Sequence, residues 1–317
     1  MKKKMRTLAG MMVLSFTLVM MGCAQTPAKT VVTLEKGPIT VATMIDTEGP
    51  ILGQMVILLL QKAGFKIVDK TEFGTPDILR KALVQGDVDL VIDYTGSGQY
   101  YHETKDTSVW SDAVKGYEMT KKLDKDKFNL IWLTPANANN TEELAVTKKF
   151  ADANSLVTME DFAKYVKGGG TVKLITSSSF AENVKGLRGL EEAYGFKLAE
   201  NQLITLASGN TTEMIKALAN GKDGVNVSLV YGTDGALDQM DLVVLSDPKS
   251  IPPVYLPTPV LRGELLKKYP EIETILGPAF SGLSIETLRE LNAKSAFEGQ
   301  KPKAIAQEYL KKVGLLS

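Results

Sequence analysis

KALVQGDVDLVIDYTG at residues 81–96 and KALANGKDGVNVSLVYGT at residues 216–233 are the two stretches on which the fold reading turns. Each opens with Lys-Ala-Leu near the end of a helical pattern. Each then passes a stop glycine, Gly86 or Gly221, and runs into a short apolar strand with a tyrosine, Tyr94 or Tyr231, at its carboxyl end. Open α/β sheets bind ligands beyond the carboxyl ends of their strands. Two such units face to face would present Tyr94 and Tyr231 across one cleft.

The same alternation extends outward. Strands are expected at 39–44, 66–70 and 88–92, with helices at 51–63 and 77–85; Leu52, Met55, Val56 and Leu59 mark the apolar face of the first helix. In the middle third, strands are expected at 172–175, 202–206 and 225–230 and helices at 187–194 and 211–219. Residues 264–313 read as helical, broken at Pro270, Pro278 and Pro302. The class is therefore α/β with largely parallel sheets. Residues 133–140, with Pro135, read as a first crossing between two lobes, and the four prolines of 250–259 as the return. The expected lobes are 37–135 plus 251–317, and 136–250, hinged so that they close around a ligand.

The first residues read as a targeting segment. Lys2, Lys3, Lys4 and Arg6 precede an apolar run at 8–21, which ends at Gly22-Cys23. This is a secretory signal over 1–22. A small residue before cysteine also resembles a bacterial lipobox, which implies cleavage before Cys23, a lipid on its sulfur and a tether over 23–36. Cys23 is the sole cysteine, so the chain has no internal disulfide and no thiol nucleophile. The sole histidine, His102, lies in a polar stretch and reads as a surface residue. With 37 basic and 37 acidic residues, no basic tract beyond the signal and no phosphate-cradling glycine loop, nothing points to nucleic acid or to a cofactor. Past the signal no run is long and apolar enough to span a membrane. About 295 mature residues suffice for two ordinary domains.

At IDTEGPILGQM (45–55), DYTGSG (93–98), IWLTP and NNT (131–135, 139–141), AYGF (193–196), GVNVSLVYGTDGAL (224–237) and SDPKSIPPVYLPTPVLR (246–262), the chain resembles the substrate-binding proteins of ABC importers for glycine betaine, choline and related osmoprotectants. The resemblance covers nearly the whole mature length. It implies a two-lobed type II periplasmic-binding-protein fold, a permease partner, an extracytoplasmic location and a monomer that captures a small betaine or organic cation. It also implies a box of aromatic rings around a quaternary ammonium. Such a group has no N–H to donate and is held by ring faces, each contact worth about 0.5–2 kcal/mol. By position the rings are Tyr94, Tyr231 and Tyr255, with Ser97 at the polar end of the ligand and Thr233 and Asp234 in the loop after the second tyrosine. A single tyrosine at such a place is ordinary ring packing; three in matching blocks point to ligand contact.

Three positions depart from the family together. Glu142, two residues after Asn140, stands where a fourth ring is expected. Met44 and Asn183 stand where lysine and arginine would hold a ligand carboxylate. Both clamps are absent and an acid is added, which favours a net cation such as choline over a zwitterion, with Ser97 or Asn140 bonding its hydroxyl. Glycine betaine, another amine or polar ligand, or a ligand-sensing module are the alternatives. An enzyme on this architecture is disfavoured: Asp93, Asp234 and Glu142 are sheet-end carboxylates, which more often cap helices or bind ligand.

Overall fold

The computed structural model describes residues 36–207 and 211–317. The signal, Cys23 and all of the tether but Lys36 lie outside the described residues. In chain order the strands are β1 (Lys36–Met44), β2 (Phe65–Gly74), β3 (Leu90–Tyr94), β4 (Leu130–Trp132), β5 (Glu142–Thr147), β6 (Leu174–Ser177), β7 (Leu203–Leu206), β8 (Val227–Tyr231), β9 (Leu242–Val244) and β10 (Pro257–Arg262). They form two sheets of one design, ordered β2-β1-β3-β10-β4 and β7-β6-β8-β5-β9. In each, four strands share one direction, and the strand entering from a crossing between the sheets, β10 or β5, runs antiparallel to both of its neighbours. The two repeats of the sequence occupy equivalent places. β3 and β8 both lie beside the antiparallel strand, and both end in tyrosine. Tyr94 stands opposite Pro257 at the start of β10, and Tyr231 opposite Glu142 at the start of β5. The helices before them stop as read: Gly86 and Gly221 have φ of 86° and 58°, where a Cβ is strained.

The first sheet is covered on both faces. The helix Glu48–Lys62 and the C-terminal helices Glu271–Ser281, Ile285–Ala296 and Pro302–Lys312 bury Leu52, Met55, Leu276, Phe280 and Leu310 on one side. Pro76–Gln85 and Ala113–Phe128 enclose Leu79, Leu83 and Trp132 on the other. The second sheet packs Phe162, Phe196, Met214 and Leu229 into a separate core. Full burial of each such side chain contributes about 1.5–3 kcal/mol. The result is the two-lobed periplasmic-binding-protein architecture.

Three sequence expectations are corrected. The proline-rich return crossing becomes strand β10 from Pro257 onward. Pro257 and Pro259 aim their carbonyls at Ala136 N and Leu133 N, so their missing N–H groups fall on the flank where β4 has already ended. Pro278 does not break its helix, which continues to Ser281 because Ile272, Leu276, Ala279 and Phe280 anchor the buried face. His102 is not on the surface. It is buried, with Nε2 2.7 Å from Asp124 Oδ1.

Asp124 is fully buried and binds four donors: Arg80 at 2.7 and 2.5 Å, Trp132 Nε1 at 2.7 Å and His102. The Arg80 guanidinium lies 4.1 Å from the Tyr101 ring centre, and Tyr101 in turn donates to Asp93 at 2.9 Å. This chain of contacts braces the segment that carries Tyr94, Ser97 and Tyr100. Removing one partner of a buried ion pair strands the other charge. Asp124→Ala should therefore lower unfolding stability by about 3–5 kcal/mol in urea titrations; a change below 1 kcal/mol would show that the network does not brace the lobe.

Candidate functional site

The carboxyl ends of β3 and β8 carry matched devices. Asp93 Oδ1 accepts from Tyr94 N at 2.7 Å, and Asp234 Oδ2 accepts from Tyr231 N at 2.7 Å. Each carboxylate thus fixes the backbone of the tyrosine that closes its strand. Asp234 also accepts from Thr211 Oγ1 at 3.0 Å, tying its loop to the helix Thr211–Ala219. Burial pushes its carboxyl up to about 6.

The two crossings are stitched together at Tyr255. Its N–H donates to Asn139 Oδ1 at 2.9 Å, its carbonyl accepts from Asn140 N at 2.9 Å, and Thr141 Oγ1 donates to Pro253 O at 2.6 Å. That is the work of the Asn-Asn-Thr motif. The Tyr255 ring lies on the backbone of the DYTGSG loop, where a Cβ at Gly96 would come within 2.7 Å of it. Its hydroxyl accepts from Gln99 Nε2 at 2.7 Å and lies 3.4 Å from the Tyr100 hydroxyl.

Tyr100 was not expected from the sequence. It is 64% exposed and lies within electrostatic reach of Tyr231 as well as Tyr255. Tyr100, carried by the first lobe, thus adds a ring beside Tyr255 and Tyr231. Glu142, at the first position of β5, acts electrostatically on both Tyr231 and Tyr255. It also lines a cavity of about 110 Å³ with Asn139, Thr141, Pro252 and Val254. Among the described residues no donor or cation pairs with Glu142, and desolvation raises its carboxyl to about 7.

The other acid of the site is Glu48, the first residue of its helix and 4% exposed. Oε1 accepts from the Tyr94 hydroxyl at 2.9 Å, with Asn140 Nδ2 at 3.5 Å. Oε2 accepts from Asn292 Nδ2 at 2.9 Å, and the Thr233 hydroxyl bonds the same carboxyl. Burial outweighs these bonds and raises it to about 7. Asp46 stands beside it, open to the cleft yet ringed by protein, its carboxyl also raised by desolvation. The cations that reach this acidic group are committed elsewhere. Arg80, which acts on Asp93, is held by Asp124. Arg289, which acts on Asp234 and on Glu143, donates through Nε to Gly232 O at 2.8 Å.

The remaining sequence candidates divide. Met44 is buried at the end of β1, in the same apolar cluster as Tyr94 and Tyr255. Ser97 is buried and bonded to Asp93 and Tyr101. Thr233 joins Glu48 through its side chain and Asn292 through its carbonyl. Asn183 ends the helix Ser178–Glu182 in the second lobe, where its Oδ1 accepts from Lys185 N at 2.8 Å. Glu48 lies within IDTEGPILGQM (45–55), where a lone glutamate at a helix start has the pattern of a dipole partner. Asn292 sits in a C-terminal helix with no motif around it.

Residues 37–312 match the model of the substrate-binding domain of ABC-type glycine betaine transport systems. The chain is 42% identical over 277 residues to the glycine betaine-binding protein YehZ of Escherichia coli, covering 87% of this chain and 91% of the relative. The apo structure of YehZ superposes with a TM-score of 0.75 at 41% identity, over 88% of this chain and all of the other. The chain is also 31% identical over 293 residues, 89% of its length, to the ergothioneine transport permease/ergothioneine binding protein EgtU of Helicobacter pylori, of which it spans 49%. The paired lobes, the matched tyrosine-ended strands and these likenesses together place the chain in the substrate-binding family of ABC-type glycine betaine importers, as an extracytoplasmic solute-binding component and not an enzyme.

Proposed function

We propose that the cleft captures a small quaternary ammonium ligand of net positive charge, choline being the simplest, and delivers it to an ABC permease. The observation that carries this reading is the acidic character of the ring cluster. Tyr100 meets Tyr255 hydroxyl to hydroxyl, Tyr94 donates to Glu48, Glu142 acts electrostatically on Tyr231 and Tyr255, and among the described residues no cation pairs with Glu142. Ring faces attract the trimethylammonium, and the carboxylates add charge that a zwitterion's own carboxylate would oppose. In this reading Tyr94, Tyr100, Tyr231 and Tyr255 are the walls and Glu142 the anionic side. Met44 is an apolar floor where a basic clamp is missing, and Asp234 and Thr233 hold the loop that carries Tyr231. Asn183 leaves no charge at the position it fills, and Ser97, spent on Asp93 and Tyr101, acts by positioning. The lobes 37–135 plus 251–317 and 136–250 close on the two stitched crossings.

Glycine betaine is the second reading, favoured by the 42% identity to a protein named for it. The two ligands predict opposite pH trends. A cation binds best when Glu142 is ionised, so choline affinity should rise as pH rises through about 7. Glycine betaine affinity should fall over the same window, because an ionised Glu142 repels its carboxylate. Calorimetry from pH 5.5 to 8.5 (about one and a half units on either side of neutrality) distinguishes them. Tight betaine binding at the upper end, with choline ignored, would overturn the cation reading.

The empty-state stability should respond as well. Glu48 and Glu142 are raised from 4.5 to about 7, so their protonated forms favour folding. That contribution is complete below the unfolded value of 4.5 and is lost as pH rises through about 7. The thermal midpoint of the ligand-free protein should decline across this window, and saturating choline should flatten the decline. A midpoint that climbs from pH 5 to 8 would contradict both raised carboxyls (a span of roughly three units).

We also propose that the mature protein is anchored by lipid on Cys23, from the Gly22-Cys23 lipobox. Cys23→Ala should release the protein from the membrane fraction or leave an uncleaved precursor. Intact mass showing an unmodified mature terminus elsewhere would rule the anchor out.

A further inference from the structure

We infer that the Glu48 end of the cleft is a hydrogen-bond-accepting subsite that selects ligands whose tail carries an O–H or N–H donor. The inference rests on the ring cluster holding an ammonium group, and it concerns the other end of the ligand.

A carboxylate only accepts, so each group that hydrogen-bonds Glu48 must turn a donor toward it. Tyr94 spends its hydroxyl hydrogen on Oε1. Asn292 turns Nδ2 to Oε2 and shares that amino group with Thr233 O at 2.9 Å. Asn140 turns Nδ2 toward Oε1. Flipping either amide would set oxygen against oxygen, so both orientations are fixed by Glu48. The consequence is that Asn140 Oδ1 and Asn292 Oδ1 are both buried, and among the described residues neither has a hydrogen-bond partner. Orphaned buried acceptors are uncommon, and two of them on residues that bind one carboxylate make an acceptor-rich corner without a donor.

That corner adjoins the ring cluster. Tyr94 contributes its ring to the cluster and its hydroxyl to Glu48, and the backbone N–H of Asn140 holds the Tyr255 carbonyl. A ligand seated against Tyr94 and Tyr255 therefore directs a short tail toward Asn140, whose side chain is partly exposed as a whole while its Oδ1 lies buried. A hydroxyl or N–H there gives Asn140 Oδ1 the donor that no described residue supplies. A carboxylate tail meets only acceptors, and an ether or methyl tail leaves Oδ1 orphaned.

Four ligands separate the terms at pH 8, where Glu48 is largely ionised: choline, its methyl ether, n-propyltrimethylammonium and tetramethylammonium (about one unit above the raised value). The propyl compound replaces the hydroxyl with a methyl of similar size. The ether keeps an acceptor and removes the donor. Choline should bind about tenfold tighter than both, the scale of one charge-assisted hydrogen bond. Asn140→Ala should shrink that advantage to about threefold or less. An ether that binds as well as choline would show that the corner does not require a donor, and equal binding of the propyl compound would show no polar subsite at all; either overturns the inference while the ring cluster stands. If tetramethylammonium and choline both fail to bind, the ring-cluster reading falls and the subsite falls with it.

Discussion

The carboxyl group of Glu48 is where the two lobes and the crossing between them meet. Tyr94 reaches it from the first sheet, Asn292 from a C-terminal helix, Asn140 from the first crossing and Thr233 from the loop after β8. Burying a carboxylate costs several kcal/mol unless donors and dipoles compensate. The compensation here comes from four elements at once, together with the amino end of the helix that Glu48 begins. Partners from the first lobe, the second lobe and the crossing meet on the Glu48 carboxyl. Its position therefore constrains the approach of the second lobe to the first, and Gly235 permits that approach: a Cβ there would lie 2.2 Å from Ala293 N on the same helix as Asn292.

Much of the architecture was legible because local signals and tertiary placement agree. The helices at 187–194 and 211–219 stand where periodicity puts them, and the Lys-Ala-Leu repeats mark equivalent strands. Periodicity missed the short edge strands β4 and β9 and both antiparallel strands. β5 begins with two glutamates, and β10 contains two prolines, both poor strand signals. Their strand character comes from the partners alongside: Tyr231 and Val230 opposite the glutamates, and Tyr94 and Ile92 opposite the prolines. Tertiary pairing overrides propensity there, and those same strands begin at the cleft.

The sequence marks the candidate rings more clearly than the acids beside them. Tyr94, Tyr231 and Tyr255 stand in recognisable blocks, but Tyr100 does not, because its role depends on a 3.4 Å approach to Tyr255 from 155 residues away. His102 reads as polar surface by its neighbours in sequence, yet Asp124, brought to it by the fold, makes it an interior group. Glu48 reads as an ordinary helix-start acid. Only the packed structure shows that Tyr94, Asn140, Asn292 and Thr233 all offer donors to it.

The division of labour between the two acidic systems has a physical logic. Asp124 is matched by Arg80, so its charge is neutralised inside the first lobe and serves rigidity. Among the described residues Glu142 and Glu48 have no such match. A buried acid without a cation is held partly protonated, and its ionisation becomes favourable when a cation arrives. The energy withheld from the empty protein is thereby returned on binding, which couples ligand charge to occupancy. A lysine in place of Met44 would supply a permanent counter-charge near Tyr94 and would remove that coupling. The apolar side chain at this position is consistent with a cleft whose missing positive charge is brought by the ligand itself.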